Sequence, residues 1–293
     1  MDVEFSVSLL SNAIASGIML GGFYTAVALG ITIAFGMLDI VNIAHPAFIV
    51  LGSFLAFFGL NSLGIDPFLA APFLALLGFL GGRLFYRGYH AAFERRGDES
   101  LQGLAFFFGI MFIVEIGLVL TFGVDYRLVD LPYLARTVEF GPVQVPLRLA
   151  APCATGLAML IAVQVFLSRT FVGRTIVAVA QDPEAVQLIG ADPIRSKEIA
   201  FGIALATALV AGMLLIVIQP VEPSAGREFI GRAFAICVLG GMASLPGTVI
   251  AAMILGVAET MTSTFLGPSW APAIAFGVLL VTLAFRPTGL LGR

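Results

Sequence analysis

Residues 198–220, EIAFGIALATALVAGMLLIVIQP, decide the fold. No ionisable side chain lies between Glu198 and Glu222, and a run of about 20 such residues is enough for one helix to cross the ~30 Å hydrocarbon layer of a bilayer. Outward from it, comparable apolar runs fall near 8–37, 67–86, 101–122, 149–168 and 248–266, with shorter ones at 46–60, 230–244 and 270–286. The pattern predicts an all-α, polytopic transmembrane bundle of eight to nine segments, one or two of them broken or re-entrant. Composition agrees, with 59% hydrophobic and 11% charged residues. Polar stretches of about thirty residues at most are too short for an independent soluble core.

Immediately upstream lies the longest polar insertion, RTFVGRTIVAVAQDPEAVQLIGADPIRSK, residues 169–197. Its sequence predicts a short capped helix over 182–190. Asp182 suits the N-cap, Pro183 the first helical position, and Glu184 the positive end of the helix dipole. Gly190 suits the left-handed position that ends a helix. Ala185, Leu188 and Ile189, at i, i+3 and i+4, share one apolar face. A helix this short is unstable alone in water, so that face is expected to dock on another protein.

Charge placement orients the chain. Loops 83–100 and 169–197 carry four basic residues each, and Arg286 and Arg293 follow at the end; Arg127, Arg136, Arg148, Arg227 and Arg232 fall on the other side. Ten against five predicts cytoplasmic basic loops, a cytoplasmic C-terminus and an N-terminus outside. The N-terminal residues lack the basic region of a signal peptide. In the loop beginning at residue 123, apolar and polar residues alternate around Gly141 and Pro142, a pattern that fits a small hairpin or an irregular loop.

Small residues at helical spacing, Gly17 with Gly21 and Ala204 with Ala208 and Gly212, predict close helix packing within the chain. Cys153 and Cys237 lie in apolar segments and read as small core hydrophobes. In GMLDIVNIAHP, residues 36–46, Asp39, Asn42 and His45 recur at three-residue spacing before Pro46, which interrupts the helix ladder. Such groups either face a solute at a helix break or cap helix ends at the interface. Glu115 and Glu259 are costly in lipid and are candidates for the translocation pathway or for structural hydrogen bonds. The threonines and Ser263 around Glu259 suggest a wet surface there. No HExxH, GxSxG, P-loop or Cys/His cluster is present, so no catalytic residue, metal site or bound cofactor is expected, and no nucleic-acid partner.

Four blocks carry a family resemblance. ALGITIAFGMLDIVNIAHPAFIVLGSF (28–54), GRTIVAVAQDPEAVQLIGADPIRSK (173–197), AICVLGGMASLPGTVIAAMILGVAET (235–260) and FRPTGLLG (285–292) resemble the LivH-type integral membrane permeases of branched-chain amino acid ABC importers. Glu184, Ala185 and Gly190 stand at the spacing of the general importer coupling loop, Glu-Ala-Ala, three residues, Gly. Val186 replaces the second alanine. Pro46 stands where the family usually has Gly, and Val177 where a basic residue is common.

The resemblance implies one permease domain over 1–293, with 169–197 as its cytoplasmic coupling loop in a bacterial inner membrane. It also implies a second homologous permease, two cytoplasmic ATPase subunits holding ATP and magnesium, and an extracytoplasmic solute-binding protein. Arg174, Arg195 and Lys197 would then pair with acidic residues of the ATPase. A self-sufficient secondary transporter or channel using Glu115 or Glu259 as an ion site is the rival reading.

Overall fold

The computed structural model describes residues 7–94, 101–141, 143–188, 190–286 and 288–291. Its α-helices, in chain order, are α1 (Val7–Ala34), α2 (His45–Leu63), α3 (Pro67–Ala92), α4 (Leu101–Phe122), α5 (Leu147–Arg169), α6 (Phe171–Gln181), α7 (Pro183–Leu188), α8 (Pro193–Ile218), α9 (Gly226–Gly240), α10 (Leu245–Phe265) and α11 (Ala271–Phe285). Strands β1 (Thr137–Phe140) and β2 (Val143–Pro146) pair antiparallel between α4 and α5. The hairpin thus forms, with Gly141 in the left-handed region at φ 61°. Pro142 lies outside the described residues.

Among the described residues, eight helices are long and apolar enough to cross a membrane, and the chain is a multi-pass membrane protein. The short candidates 46–60 and 270–286 are among them, lengthened in the structure to His45–Leu63 and Pro268–Phe285. Candidate 230–244 is the exception: α9 has 15 residues and reaches only about 22 Å at 1.5 Å per residue.

Glycines fix how the helices run. Gly17 and Gly21 of α1 back onto Val257 and Met253 of α10, so these two are antiparallel. Gly78 and Gly82 of α3 back onto Leu205 and Gly202, making α3 antiparallel to α8. In α2, His45 meets α8 near Ala204 through Gly30, and the Ser53 hydroxyl donates to the Gly212 carbonyl at 2.6 Å. Hence α2 runs parallel to α8. An ideal Cβ on Gly212 would stand 1.7 Å from the Ile49 carbonyl oxygen, so only glycine permits that approach. Both small-residue stripes therefore pack inside the chain, as expected.

One end of the bundle carries the hairpin and the start of α1, tied by the Gln144 amide donating to Asn12 at 2.6 Å. The opposite end carries α6, α7, the end of α3 and Gly289, which stacks on Gly241. Between α8 and α9 the chain pairs Val221 with Arg127 at the hairpin end and then turns inward, so that Gly226 lies against Pro46. Segment 219–225 and α9 together make the ninth passage. Central α8 and α1 are the most buried spans, at 83% and 89% of their apolar windows, whereas α3 and α5 are each at 17%. The centre is packed by protein, and the periphery offers apolar surface to lipid.

Candidate functional site

The insertion 169–197 is more structured than its sequence suggested. Residues 171–181 form α6, whose apolar face, Ile176 and Val179, is buried, and α8 begins at Pro193 rather than near 198. Two residues explain the early start: Asp192 accepts hydrogen bonds from the amides of Ile194 and Arg195, at 2.9 and 3.2 Å, and Pro193 fits the first turn.

Helix α7 forms as the capping signals predict. The Asp182 carboxylate accepts from the amides of Glu184 and Ala185 at 3.0 and 2.9 Å. Gly190 takes φ 80°, and the Ala191 amide returns to the Val186 carbonyl at 3.2 Å. The helix docks on its own chain through Val186, which is 4% exposed. Ala185 is exposed and Leu188 is 89% exposed, on the side turned away from the bundle. Ile189 lies outside the described residues. Arg174 is exposed on α6 and not on α7. It borders a groove of ≈ 870 Å³ between α6, α7 and the start of α8.

Lys197 is not free for a partner. Its ammonium donates to Glu94 at 2.5 Å, and the same carboxylate receives Tyr86 at 2.6 Å and lies 2.9 Å from His90 Nδ1. Burial pushes the Glu94 carboxyl upward, but hydrogen bonds from Lys197, Tyr86 and His90 outweigh it and hold it below its ordinary value. One residue on, Glu198 accepts from Arg83 at 2.6 Å and pairs with Arg87 at 3.0 Å. These two carboxylates lock the end of α3 to the first turns of α8.

The break at 36–46 does not put its polar residues on one face, because 35–44 is a run of turns and irregular chain rather than a helix. Asp39 is exposed and holds φ 56°. Asn42 and His45 are sealed, at 2% and 0% exposure, where α1, α2, α8 and α9 meet. None of their side-chain nitrogens or oxygens has a hydrogen-bonding partner among the described residues. The Val27 backbone approaches the imidazole closely enough to act on it without reaching hydrogen-bond geometry. Helices α2 and α9 both start at this junction, each without a side-chain cap.

Glu115 and Glu259 each meet an arginine from α9. Arg232 Nε donates to Glu259 at 3.0 Å, the Tyr24 hydroxyl donates to the other carboxylate oxygen, and the side chains of Arg232 and Glu259 are 14% and 4% exposed. Glu259 is therefore buried rather than part of a wet surface. Arg227 grips Glu115 with two nitrogens, at 2.7 and 3.2 Å. Both arginines thus sit in the bundle and not in a loop, which removes them from the charge count by side. The sequence signal was available: two carboxylates in apolar helices require counter-charges, and Arg232 inside candidate 230–244, with Arg227 on its flank, could supply them. Occupied this way, neither glutamate stands open as an ion site.

The family described as branched-chain amino acid transport system / permease component matches residues 13–283. The chain is similar to the LivH permease of the high-affinity branched-chain amino acid transport system of Salmonella typhimurium, at 31% identity covering 95% of this chain and 94% of that one. It is similar to BraD of Pseudomonas aeruginosa at 28% identity, covering 96% and 95%. A shorter match, 33% over 127 residues, joins 43% of this chain to 29% of the LivM permease of Salmonella typhimurium. No solved structure matches. On the extent of these matches, the chain belongs to the branched-chain amino acid transport permease family.

Proposed function

We propose that this chain is the permease subunit of an ABC importer that moves branched-chain amino acids, or a closely related small polar solute, across a bacterial inner membrane. Two cytoplasmic ATPases holding ATP and magnesium drive it, a homologous permease completes the pore, and an extracytoplasmic binding protein delivers solute. The N-terminus lies outside and the C-terminus in the cytoplasm. One observation carries the reading: a capped helix at one end of the bundle turns a bare leucine, Leu188, away from its own chain. A helix of six residues is too short to be stable alone in water, and a docked partner covering Leu188 would add to the hold that Val186 gives it.

In this reading the motion of an ATPase pulls α7, and Asp192 passes it directly into α8. Because Glu94 and Glu198 bind α3 to α8, the two helices move together. Helix α8 contacts α1 and α2 along its length, so a shift there reaches the junction at His45. The ATPases can bias the bundle only through contacts that differ between its states. The test is Leu188→Asp, alone and with Ile189→Asp, in the assembled transporter. ATP-driven uptake should collapse, with the permease still extractable and folded. Full uptake in the double variant would refute the docking role.

A further inference from the structure

We infer that an anionic phospholipid seats between α3, α5 and α8, with an acyl chain in an apolar groove and its phosphate on Arg174 and Arg195. Such a site needs only a membrane around the chain, so it stands apart from the importer reading. Two grooves meet there. The first, of ≈ 440 Å³, is lined by apolar residues throughout, among them Phe79 of α3, Ala162 and Phe166 of α5, and Ile199 and Ile203 of α8. It lies beside the exposed Leu80 and Ile161, on peripheral helices that offer apolar surface to lipid. The second is the ≈ 870 Å³ groove between α6, α7 and the start of α8. Val172 and Ile199 line both, so the two are contiguous.

The backbone fixes that junction. An ideal Cβ on Gly173 would stand 2.2 Å from the Phe166 carbonyl oxygen, so α6 folds tightly back onto α5 and carries Val172 and Arg174 to the edge of the groove. From Ile203 in the apolar groove to Ser196 in the polar one is seven residues of α8, about 10 Å along the axis. That is about two-thirds of the ~15 Å of hydrocarbon in one leaflet. An acyl chain running down the first groove thus leaves its headgroup in the second.

Charge argues for the occupant. Arg174 and Arg195 are both exposed on the second groove, and neither guanidinium has a hydrogen bond or ion pair among the described residues. Asp192 lines the same groove, but its carboxylate already accepts from the amides of Ile194 and Arg195. Two cations against one engaged carboxylate leave the groove positive. The planar fork of arginine takes a phosphate through two nitrogens, and basic pockets between membrane helices hold anionic headgroups. A soluble ATPase could pair with these arginines, but it cannot follow the apolar groove into hydrocarbon. Only an amphiphile with a negative head satisfies both parts. Phe171 and Ile194, exposed at 76% and 47% next to this basic groove, place apolar groups at a polar rim, as segments lying in a membrane interface do.

The test is lipid-selective quenching. In a Trp270→Phe background, which removes the sole tryptophan, Val172→Trp puts a reporter where the grooves meet. The full-length chain is placed in phosphatidylcholine vesicles, and brominated phosphatidylglycerol or brominated phosphatidylcholine is titrated in. Phosphatidylglycerol should quench at a mole fraction at least about tenfold lower. Arg174→Gln with Arg195→Gln should abolish that preference. So should Ala162→Phe, which fills the apolar groove and leaves the arginines alone. Equal quenching by the two lipids, or none by either, would overturn the site. A preference that survives Ala162→Phe would reduce it to a basic surface with no seated lipid. A second measurement needs no reporter: phosphatidylglycerol retained by the detergent-washed complete transporter should fall severalfold in the double arginine variant. Unchanged retention would hand the arginines to another partner.

Discussion

The Arg232–Glu259 pair is the most consequential single bond in the bundle, and its removal can be estimated. The two side chains are 14% and 4% exposed and 3.0 Å apart, and Arg232 also lies 5.4 Å over the Phe229 ring. Replacing Arg232 by Met keeps a long apolar stem against that ring but leaves the Glu259 carboxylate facing only Tyr24. Breaking a buried pair from one side costs about 3–5 kcal/mol. At about 2–4 °C per kcal/mol, R232M should melt about 6–20 °C below the wild type. The double variant R232M/E259Q removes the orphaned charge and should recover most of that loss, because a buried pair replaced on both sides is near neutral. Melting can be followed with a thiol-reactive fluorogenic dye: Cys237 is fully buried on α9 itself and reacts when that helix leaves the bundle. A double variant melting as low as R232M, or an R232M that melts with the wild type, would refute the reasoning.

Two further outcomes follow from packing and titration. Gly212→Ala should destabilise the protein by about 3 kcal/mol or more through overpacking, since its Cβ would meet the Ile49 carbonyl at 1.7 Å; Gly59→Ala, with nothing within 4 Å, should raise the melting temperature slightly. Glu94, held below its ordinary value of 4.5, stabilises the α3–α8 lock above that pH, and this contribution is lost as pH falls through the lower, folded value. Melting temperature should therefore drop on acidification below about pH 4.5, and E94Q should flatten that drop; an unchanged acid slope in E94Q would remove Glu94 from the account.

The membrane segments were legible because hydrocarbon imposes a length and a composition on each span, and residues 198–220 meet both without help from neighbours. Helix α7 was legible for a different reason, since Asp182, Pro183 and Gly190 are local signals that need no tertiary context. What the sequence hid is what depends on contact between distant elements. Helix α6 does not stand out in the sequence because Arg174 and Thr175 break its apolar run, and its buried face, Ile176 and Val179, is completed only by packing on α5 and α8. The partners of Glu115 and Glu259 are 112 and 27 residues away, beyond any local pattern. Three-residue spacing implied that Asp39, Asn42 and His45 act together, but that inference assumed a helix, and a chain held by turns sent Asp39 outward and the other two inward.

Asn42 and His45 bear on how the bundle is poised. Four side-chain atoms on these residues, two from each, are buried without a protein partner among the described residues, and each such group costs about 1–3 kcal/mol relative to a bonded one. They sit where α8 meets α1, α2 and α9, the point that, in the importer reading, the motion of the loop ahead of α8 would reach. An apolar residue of similar shape relieves that cost. Asn42→Leu should thus raise the melting temperature, and in the importer reading it should also slow uptake, because a state that hydrates the junction no longer gains from solvating Asn42. This is the stability–activity trade expected where function keeps a polar group in a poor environment. A lower melting temperature for Asn42→Leu would mean that Asn42 is well bonded in the protein as it exists, for instance to a buried water. Faster uptake at higher stability would show that the junction stays shut throughout transport.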